Sequence, residues 1–247
     1  MRRPTVGQFV RGLLVCCLLV VAAGHATAID DFGDAGPFQT GDVEPDTVVL
    51  RGDVAENGSA SWSIEYRVRL DDDNTTAAFE SLATDLRTNR SDYERRFRAR
   101  MNGTAAVAEN ATGRSMAITN VSVVAERRQL PREYGVVAYR FRWTNFAAVD
   151  GDRLNVGDAL SGLFLDSETR LILSWPSGYE VRSVSPTPDE RDGTQVVWRG
   201  PTDFASDEPR VELAAGGGFP VAVAGVVAAV VLLGGTAVWY RRREPTP

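Results

Sequence analysis

The sequence predicts an α+β protein, in which an antiparallel β-sheet or sandwich-like extracellular domain carries a helical pair after its first hairpin and one C-terminal transmembrane helix follows. Three observations predict this architecture. Residues 59–70 alternate between apolar and polar side chains, which is typical of a strand with one buried face. Residues 79–108 carry apolar side chains at helical spacing. Residues 219–240 form an uncharged apolar run long enough to cross a bilayer.

The N-terminus has the layout of a secretory signal peptide, predicted to span residues 1–28. Arginines precede an apolar run over residues 13–23, and small side chains at Ala26 and Ala28 follow it. We expect cleavage after Ala28, so that the mature protein begins at Ile29. An uncleaved anchor is the alternative, and the sequence leaves open whether export uses the general or the twin-arginine route.

The predicted extracellular part is acidic. All 27 basic residues of the chain are Arg, and residues 29–240 hold 21 Arg against 32 Asp or Glu, a net charge of 21 − 32 = −11. A GC-rich genome combined with selection for a halophilic surface would produce such a lysine-free, acidic chain, because concentrated salt screens the repulsion. Since no basic face dominates, we do not expect nucleic acid as a partner.

Cysteine and histidine are confined to the predicted signal peptide, at Cys16, Cys17 and His25. The mature protein would contain neither residue, which excludes disulfides, thiolate or imidazole metal sites, and catalysis by Cys or His. We predict no cofactor and no metal. The acidic loop over residues 150–158 fails the pattern of a hand-type calcium loop, because Leu154 replaces a ligand, so a solvated loop is the better interpretation.

The middle of the chain is predicted to fold as one extracellular domain over residues 47–213, after a loosely ordered acidic segment at 29–46. The domain begins with strands at 47–54 and 59–70. Helices follow, in which Ser91 and Glu94 are predicted to form a capping box. Later strands are predicted at residues 118–126, 136–143, 171–175, 179–184, 196–198 and 210–213.

The C-terminal region is predicted to anchor the domain in the cell membrane, so that the bilayer is an expected partner. A Gly-rich juncture at 214–218 leads into the transmembrane helix at 219–240. Arginines begin the tail at 241–247, which places that tail in the cytoplasm. Gly225 and Ala229 have the spacing at which small side chains let helices approach, so we expect self-association or pairing with another membrane protein.

Six of the eight Asn residues lie in Asn-x-Ser/Thr sequons, where composition alone predicts about one. The predicted N-glycosylation sites are Asn57, Asn74, Asn89, Asn102, Asn110 and Asn120. The alternative is that Asn and Thr cluster at turns and helix caps for conformational reasons.

Four arginines are predicted on outward strand faces: Arg67, Arg69, Arg140 and Arg142. They could bind an anion such as a carboxylate-bearing polysaccharide or glycan, because a guanidinium group can donate two parallel hydrogen bonds to a carboxylate. The sequence favours the alternative, in which they form cross-strand pairs with acidic neighbours such as Glu65.

Five blocks of the chain carry a resemblance to a known family. They are ENGSA-x-W-x-IEYR at 56–67, AENATGR at 108–114, WTNF at 143–146, GDR with VGD at 151–158, and W-x-GP at 198–201. Over about residues 45–213 the chain resembles a haloarchaeal family of uncharacterised, signal-bearing, single-pass membrane-anchored outer domains. Some relatives carry a cytoplasmic winged-helix domain, which implies transmembrane signalling. Here only the tail at 241–247 is expected inside, which argues against a regulator role, and the resemblance carries over no catalytic residues.

These features predict the extracellular domain of a halophilic archaeon, anchored in the cell membrane and N-glycosylated. We expect it to act as a binding, sensory or cell-surface module and not as an enzyme. The alternative is a cell-surface hydrolase that uses paired carboxylates, because Asp and Glu are plentiful. A deep pocket with two facing carboxylates would distinguish the hydrolase.

Overall fold

The computed structural model describes residues 44–129 and 131–216. The predicted signal peptide, most of the segment at 29–46, the end of the juncture, the transmembrane helix and the tail lie outside these residues. No helix in the described ranges is both long enough and apolar enough to cross a membrane. The described part is mixed α+β, with two helices and large antiparallel sheets, as predicted.

The described residues form thirteen strands and two α-helices. The strands are β1 (Thr47–Val54), β2 (Ala60–Arg69), β3 (Ala117–Gln129), β4 (Glu133–Thr144), β5 (Ala148–Asp150), β6 (Arg153–Val156), β7 (Phe164–Leu165), β8 (Thr169–Ser174), β9 (Tyr179–Ser185), β10 (Glu190–Asp192), β11 (Gln195–Arg199), β12 (Thr202–Asp203) and β13 (Arg210–Ala215). The helices are α1 (Asp73–Thr88) and α2 (Arg90–Thr112), and a short 3-10 helix spans Asp158–Leu160.

The larger sheet has seven strands in the order β10-β11-β8-β1-β2-β4-β3. Its neighbours run antiparallel except β1 and β8, which pair in parallel with Leu50 opposite Leu171. The predicted antiparallel sheet is therefore confirmed in outline, with this one parallel pair as an exception. The hairpin β1–β2 leaves one edge of β1 open, and β8 occupies that edge after the chain has passed through the smaller sheet.

The smaller sheet has four strands in the order β5-β6-β13-β9, and β7 pairs with β12 separately. Leu154 and Val156 of β6 are fully buried. The interpretation of residues 150–158 as a solvated loop was therefore wrong for its second half, because strand β6 lies within the segment and the 3-10 helix begins at its last residue, although residues 150–153 are exposed. Strand β13 also continues through Ala215, two residues into the predicted juncture.

The two helices meet at Asn89. The Asp72 carboxylate caps α1 by accepting a 2.9 Å hydrogen bond from the Thr75 backbone N–H. Helix α2 begins at Arg90, with Asn89 as its N-cap and no side-chain capping bond. The predicted capping box at Ser91 was wrong, because Ser91 already lies inside α2.

The core lies between the helices, one face of the larger sheet and the smaller sheet. Phe97 of α2 stacks on Tyr139 of β4 with ring centroids 4.3 Å apart. Helix α1 reaches the same sheet face through Phe79, whose ring occupies the space that a Cβ on residue 135 would need. Gly135 therefore permits the close approach of α1 to β4.

Candidate functional site: the arginine face of the larger sheet

The two faces of the larger sheet have different surroundings: one packs into the core and the other turns away from it. Alternate residues of β2, such as Trp62 and Ile64, point into the core, and those between them point away from it. We call the side turned away from α1, α2 and the smaller sheet the arginine face. The apolar side chains of Val49, Ile172 and Val197 form a separate buried cluster on this face.

The arginine face is positive on a negative protein. Its charged strand residues are Arg51, Arg67, Arg69, Arg128, Arg140, Arg142, Arg170 and Arg199, with Asp53, Glu65, Glu126, Glu190 and Asp192. The net charge of this set is 8 − 5 = +3, whereas the described chain as a whole carries 21 Arg and 28 Asp or Glu, a net of −7. Positive charge is therefore concentrated on one face.

Some of these arginines are neutralised within the face. Glu65 accepts hydrogen bonds from Arg67 (Nε, 3.1 Å; Nη2, 2.5 Å) and from Arg128 (Nη1, 3.0 Å). Burial alone would raise the pKa of Glu65, but these two guanidinium groups outweigh it and hold the pKa below its ordinary value. Arg69 is paired with Asp46, its Nε lying 2.9 Å from Oδ1.

Other arginines of the face lack an acidic partner. Arg140 and Arg142 form no ion pair or side-chain hydrogen bond with any residue in the described ranges, and Arg140 is exposed. The Nε atom of Arg170 is buried and has no hydrogen-bond partner. Arg51 donates only to the side-chain oxygen of Gln195, at 3.2 Å. These four guanidinium groups are available to an external anion.

All four arginines predicted from the sequence lie on the arginine face. For Arg67 and Arg69 the structure shows ion pairs, so cross-strand and local pairing account for them. For Arg140 and Arg142, anion binding stays a prediction. The sequence analysis missed Arg51, Arg128, Arg170 and Arg199. A usable signal existed for Arg170, which interrupts the apolar strand Thr169–Ser174 at a position where period two points away from the core.

The sequon asparagines lie elsewhere. All six are exposed at the surface. Asn74 lies in α1, Asn102 and Asn110 lie in α2, and Asn89 joins the two helices. The other two are Asn57, in the turn between β1 and β2, and Asn120, in the edge strand β3. None falls within the other six strands of the larger sheet, so glycans at these positions would leave most of the arginine face uncovered.

The acidic residues of the described part bear on two other kinds of site, a metal site and a hydrolase site with paired carboxylates. Nowhere in residues 44–129 and 131–216 do three or more His, Cys, Asp or Glu side chains come together as a metal-binding group. The acidic depression at the start of α1, about 220 Å³ in volume, is lined by Asp46, Asp71 and Asp72 together with Arg69. Asp46 is paired with Arg69 and Asp72 caps α1, so both carboxylates have structural roles there.

Comparison with known proteins gives a family and distant structural likenesses. The NMR structure of the folded domain of LppM from Mycobacterium tuberculosis is 9% identical, and the match covers 70% of this chain and 92% of that one with a TM-score of 0.29. A crystal structure of a protein named only as a candidate protease, from Parabacteroides distasonis, is 10% identical and matches 68% of this chain and 39% of that one with a TM-score of 0.20. At such TM-scores neither likeness supports an argument.

No curated protein matches the sequence. A family model does match, over residues 51–179, which is more than half of the chain and runs from the second half of β1 through β8. The chain belongs to the family described as Domain of unknown function (DUF7345).

Proposed function

We infer that the protein is a membrane-anchored, N-glycosylated extracellular module that binds an acidic polysaccharide through its arginine face. The supporting observation is the set of guanidinium groups without acidic partners on the one sheet face that is positive and nearly free of sequons. Charge-assisted hydrogen bonds from arginine are stronger than neutral ones and suit carboxylate, sulfate and phosphate groups.

The shape of the face favours an extended ligand. The available arginines lie on β4, β1 and β8, with Arg199 beyond them on β11. Four strand spacings separate β4 from β11, which is a span of about 19 Å. A polysaccharide that carries an acidic group on successive sugars would meet several guanidinium groups at once, and the strands present them on an open sheet surface.

The anchoring proposal is supported by the sequence. The apolar run at 219–240 is followed by Arg241, Arg242 and Arg243, and the predicted signal peptide would export everything between. The acidic composition suits a halophilic archaeal surface. Pairing of the helix through Gly225 and Ala229 is part of the same proposal, as a route by which ligand binding outside could bring two anchors together.

The binding proposal is tested with the full chain in reconstituted liposomes. The probes are dextran sulfate and uncharged dextran of the same length, compared at constant ionic strength. We expect the wild type to bind only dextran sulfate, and the double variant Arg140→Gln, Arg142→Gln to bind it about tenfold more weakly. The matched control is Arg95→Gln, Arg98→Gln on α2, which removes the same charge from the helical side.

Equal loss in both double variants would show that binding follows net charge alone and would contradict a specific face. Binding of uncharged dextran would contradict the role assigned to arginine.

The anchoring and glycosylation proposals have their own test, on protein purified from its native membrane. N-terminal sequencing should begin at Ile29, and mass spectrometry should find glycans on at least some of the six sequons. A mature chain that begins at Met1, or six unmodified asparagines, would contradict the corresponding part of the proposal.

A further inference from the structure

Arg170 stands near the middle of the arginine face in an unusual electrostatic setting. It lies on β8, directly opposite Arg199 of β11, and its Nε is buried without a hydrogen-bond partner. Burial lowers the pKa of Arg170, and the nearby charges of Arg67, Arg199 and Arg51 lower it further. Like charges on directly opposed strand residues destabilise a sheet. This arrangement therefore costs stability unless an anion joins it.

The neighbouring acids do not neutralise the group. Glu65 is ion-paired with Arg67, and Glu190 is ion-paired with Arg199. Together with these two glutamates, Arg51, Arg67, Arg170 and Arg199 have a local net charge of 4 − 2 = +2. The free charge belongs to Arg170 and Arg51, since the only side-chain partner of Arg51 among the described residues is the neutral amide of Gln195.

The surface beneath these groups is apolar. Val49, Ile172 and Val197 form a buried cluster with exposures of 3%, 6% and 4% although they face away from the main core. Val49 is directly opposite Arg170, and Ile172 is opposite Arg51. Long arginine stems cover such apolar surface while the charged ends stay above it. A charged group bound here would be partly shielded from water, which strengthens its attraction to the guanidinium groups.

We propose that Arg170 and Arg51, flanked by Arg67 and Arg199, form a subsite for one tetrahedral oxyanion, a sulfate or phosphate group. This deepens the function proposed above and rests on it, since it names the acidic group that the polysaccharide presents. A tetrahedral group offers three or four oxygens in different directions and can accept from several guanidinium groups at once. A carboxylate offers two oxygens in one plane. A single guanidinium group can already donate a hydrogen bond to each of them.

The test uses the full chain in detergent, titrated calorimetrically with inorganic phosphate, sulfate and acetate at constant ionic strength in chloride. We expect phosphate and sulfate to bind at least tenfold more tightly than acetate. Arg170→Met should weaken phosphate and sulfate binding about tenfold or more, because a charged hydrogen-bond donor is lost. Arg170→Lys keeps the positive charge but loses the forked guanidinium group. Its affinity for phosphate and sulfate should lie between those of the wild type and Arg170→Met. The matched control Arg153→Met, at an exposed position on β6, should bind as the wild type does.

A second readout separates a binding role from a structural one. Without added oxyanion, Arg170→Met should have an unfolding midpoint at or above that of the wild type, because one of four clustered positive charges is gone. A lower midpoint together with unchanged phosphate affinity would show that Arg170 is structural and would overturn the subsite. If Arg170→Met fails to fold, Arg51→Gln provides the same comparison and should weaken binding about threefold.

The remaining outcomes separate this subsite from the proposed function. Wild-type protein that binds dextran sulfate but neither phosphate nor sulfate would overturn the subsite and leave the polysaccharide proposal standing. Wild-type protein that binds phosphate in an Arg170-dependent way but not dextran sulfate would support the subsite and contradict the polysaccharide. Acetate binding as tight as that of phosphate would overturn the tetrahedral assignment.

Discussion

The two faces of the larger sheet are made by the same strands, yet their side chains are held by different forces. On the inner face, Trp62 and Trp143 lie 5.2 and 5.3 Å from the ring of Phe146 and are almost fully buried. On the arginine face, the aliphatic cluster of Val49, Ile172 and Val197 lies among guanidinium groups, of which some have acidic partners and some do not. The inner face stabilises the fold by burying aromatic surface, whereas the arginine face carries positive charge that its acidic residues neutralise only in part.

The largest expected effect comes from the inner face. Phe97→Ala should destabilise the protein by about 3–5 kcal/mol, because it removes a buried ring that holds α2 on β4 and leaves a cavity. Val107→Ala, on the same helix but 38% exposed, is the matched control and should change stability by less than about 0.5 kcal/mol. Denaturant unfolding of the full chain measures both. Similar costs for the two variants would mean that α2 is not docked through Phe97.

A smaller effect is expected at Glu65, the acidic centre of the arginine face. Its folded pKa lies below its unfolded value, so its contribution to stability is present above the unfolded pKa and is lost as the pH falls through the folded pKa. Glu65→Gln should cost about 1–2 kcal/mol at pH 7, and the difference from wild type should shrink below about pH 4. Thermal unfolding at several pH values measures this.

The control for Glu65 is Glu56→Gln, an exposed residue in the turn between β1 and β2. Its cost at pH 7 should be small, because the side chain is exposed. A pH-independent cost at Glu65 would show that packing, and not the carboxylate charge, is what the residue contributes.

The smallest effect is expected where arginine has no partner. Arg140→Gln should change the free energy of unfolding by less than about 0.5 kcal/mol, whereas Arg67→Gln should cost about 1 kcal/mol because it leaves Glu65 with one guanidinium partner fewer. Urea titrations of both variants in the same buffer test this. A larger cost at Arg140 than at Arg67 would remove the distinction between available and neutralised arginines.

Much of the fold was predictable because long strands leave a clear period-two pattern. Strand β2 lies at 60–69 where 59–70 was predicted, and the two helices contain the apolar spacing seen at 79–108 and extend beyond it at both ends. Short elements were not predicted. Strand β6 has only four residues, and its two buried side chains, Leu154 and Val156, are too few to establish a period between acidic neighbours. The cap at Ser91 failed because only Asn89 separates the two helices.

The site was predictable only in part, for a physical reason. The alternation of side chains along β4 is enough by itself to place Arg140 and Arg142 on the same face of a sheet. The cluster around Arg170 depends on the parallel pairing of β8 with β1, and no local pattern encodes which distant strand will occupy an open edge. Pairing preferences are set by packing across the whole sheet, so a single sequence does not reveal that Arg51 and Arg170 become neighbours.

The bulge in β3 has a consequence for crowding. Strand β3 is the longer of the two edge strands of the larger sheet, with thirteen residues, and its register against β4 shifts between Thr119 and Ser122. Asn120, within the bulge, has a φ of 54°, which breaks the edge into one short and one longer segment. An uninterrupted edge invites strand addition from a neighbouring copy. The bulge thus limits direct sheet-to-sheet addition between neighbouring copies of the domain along this edge.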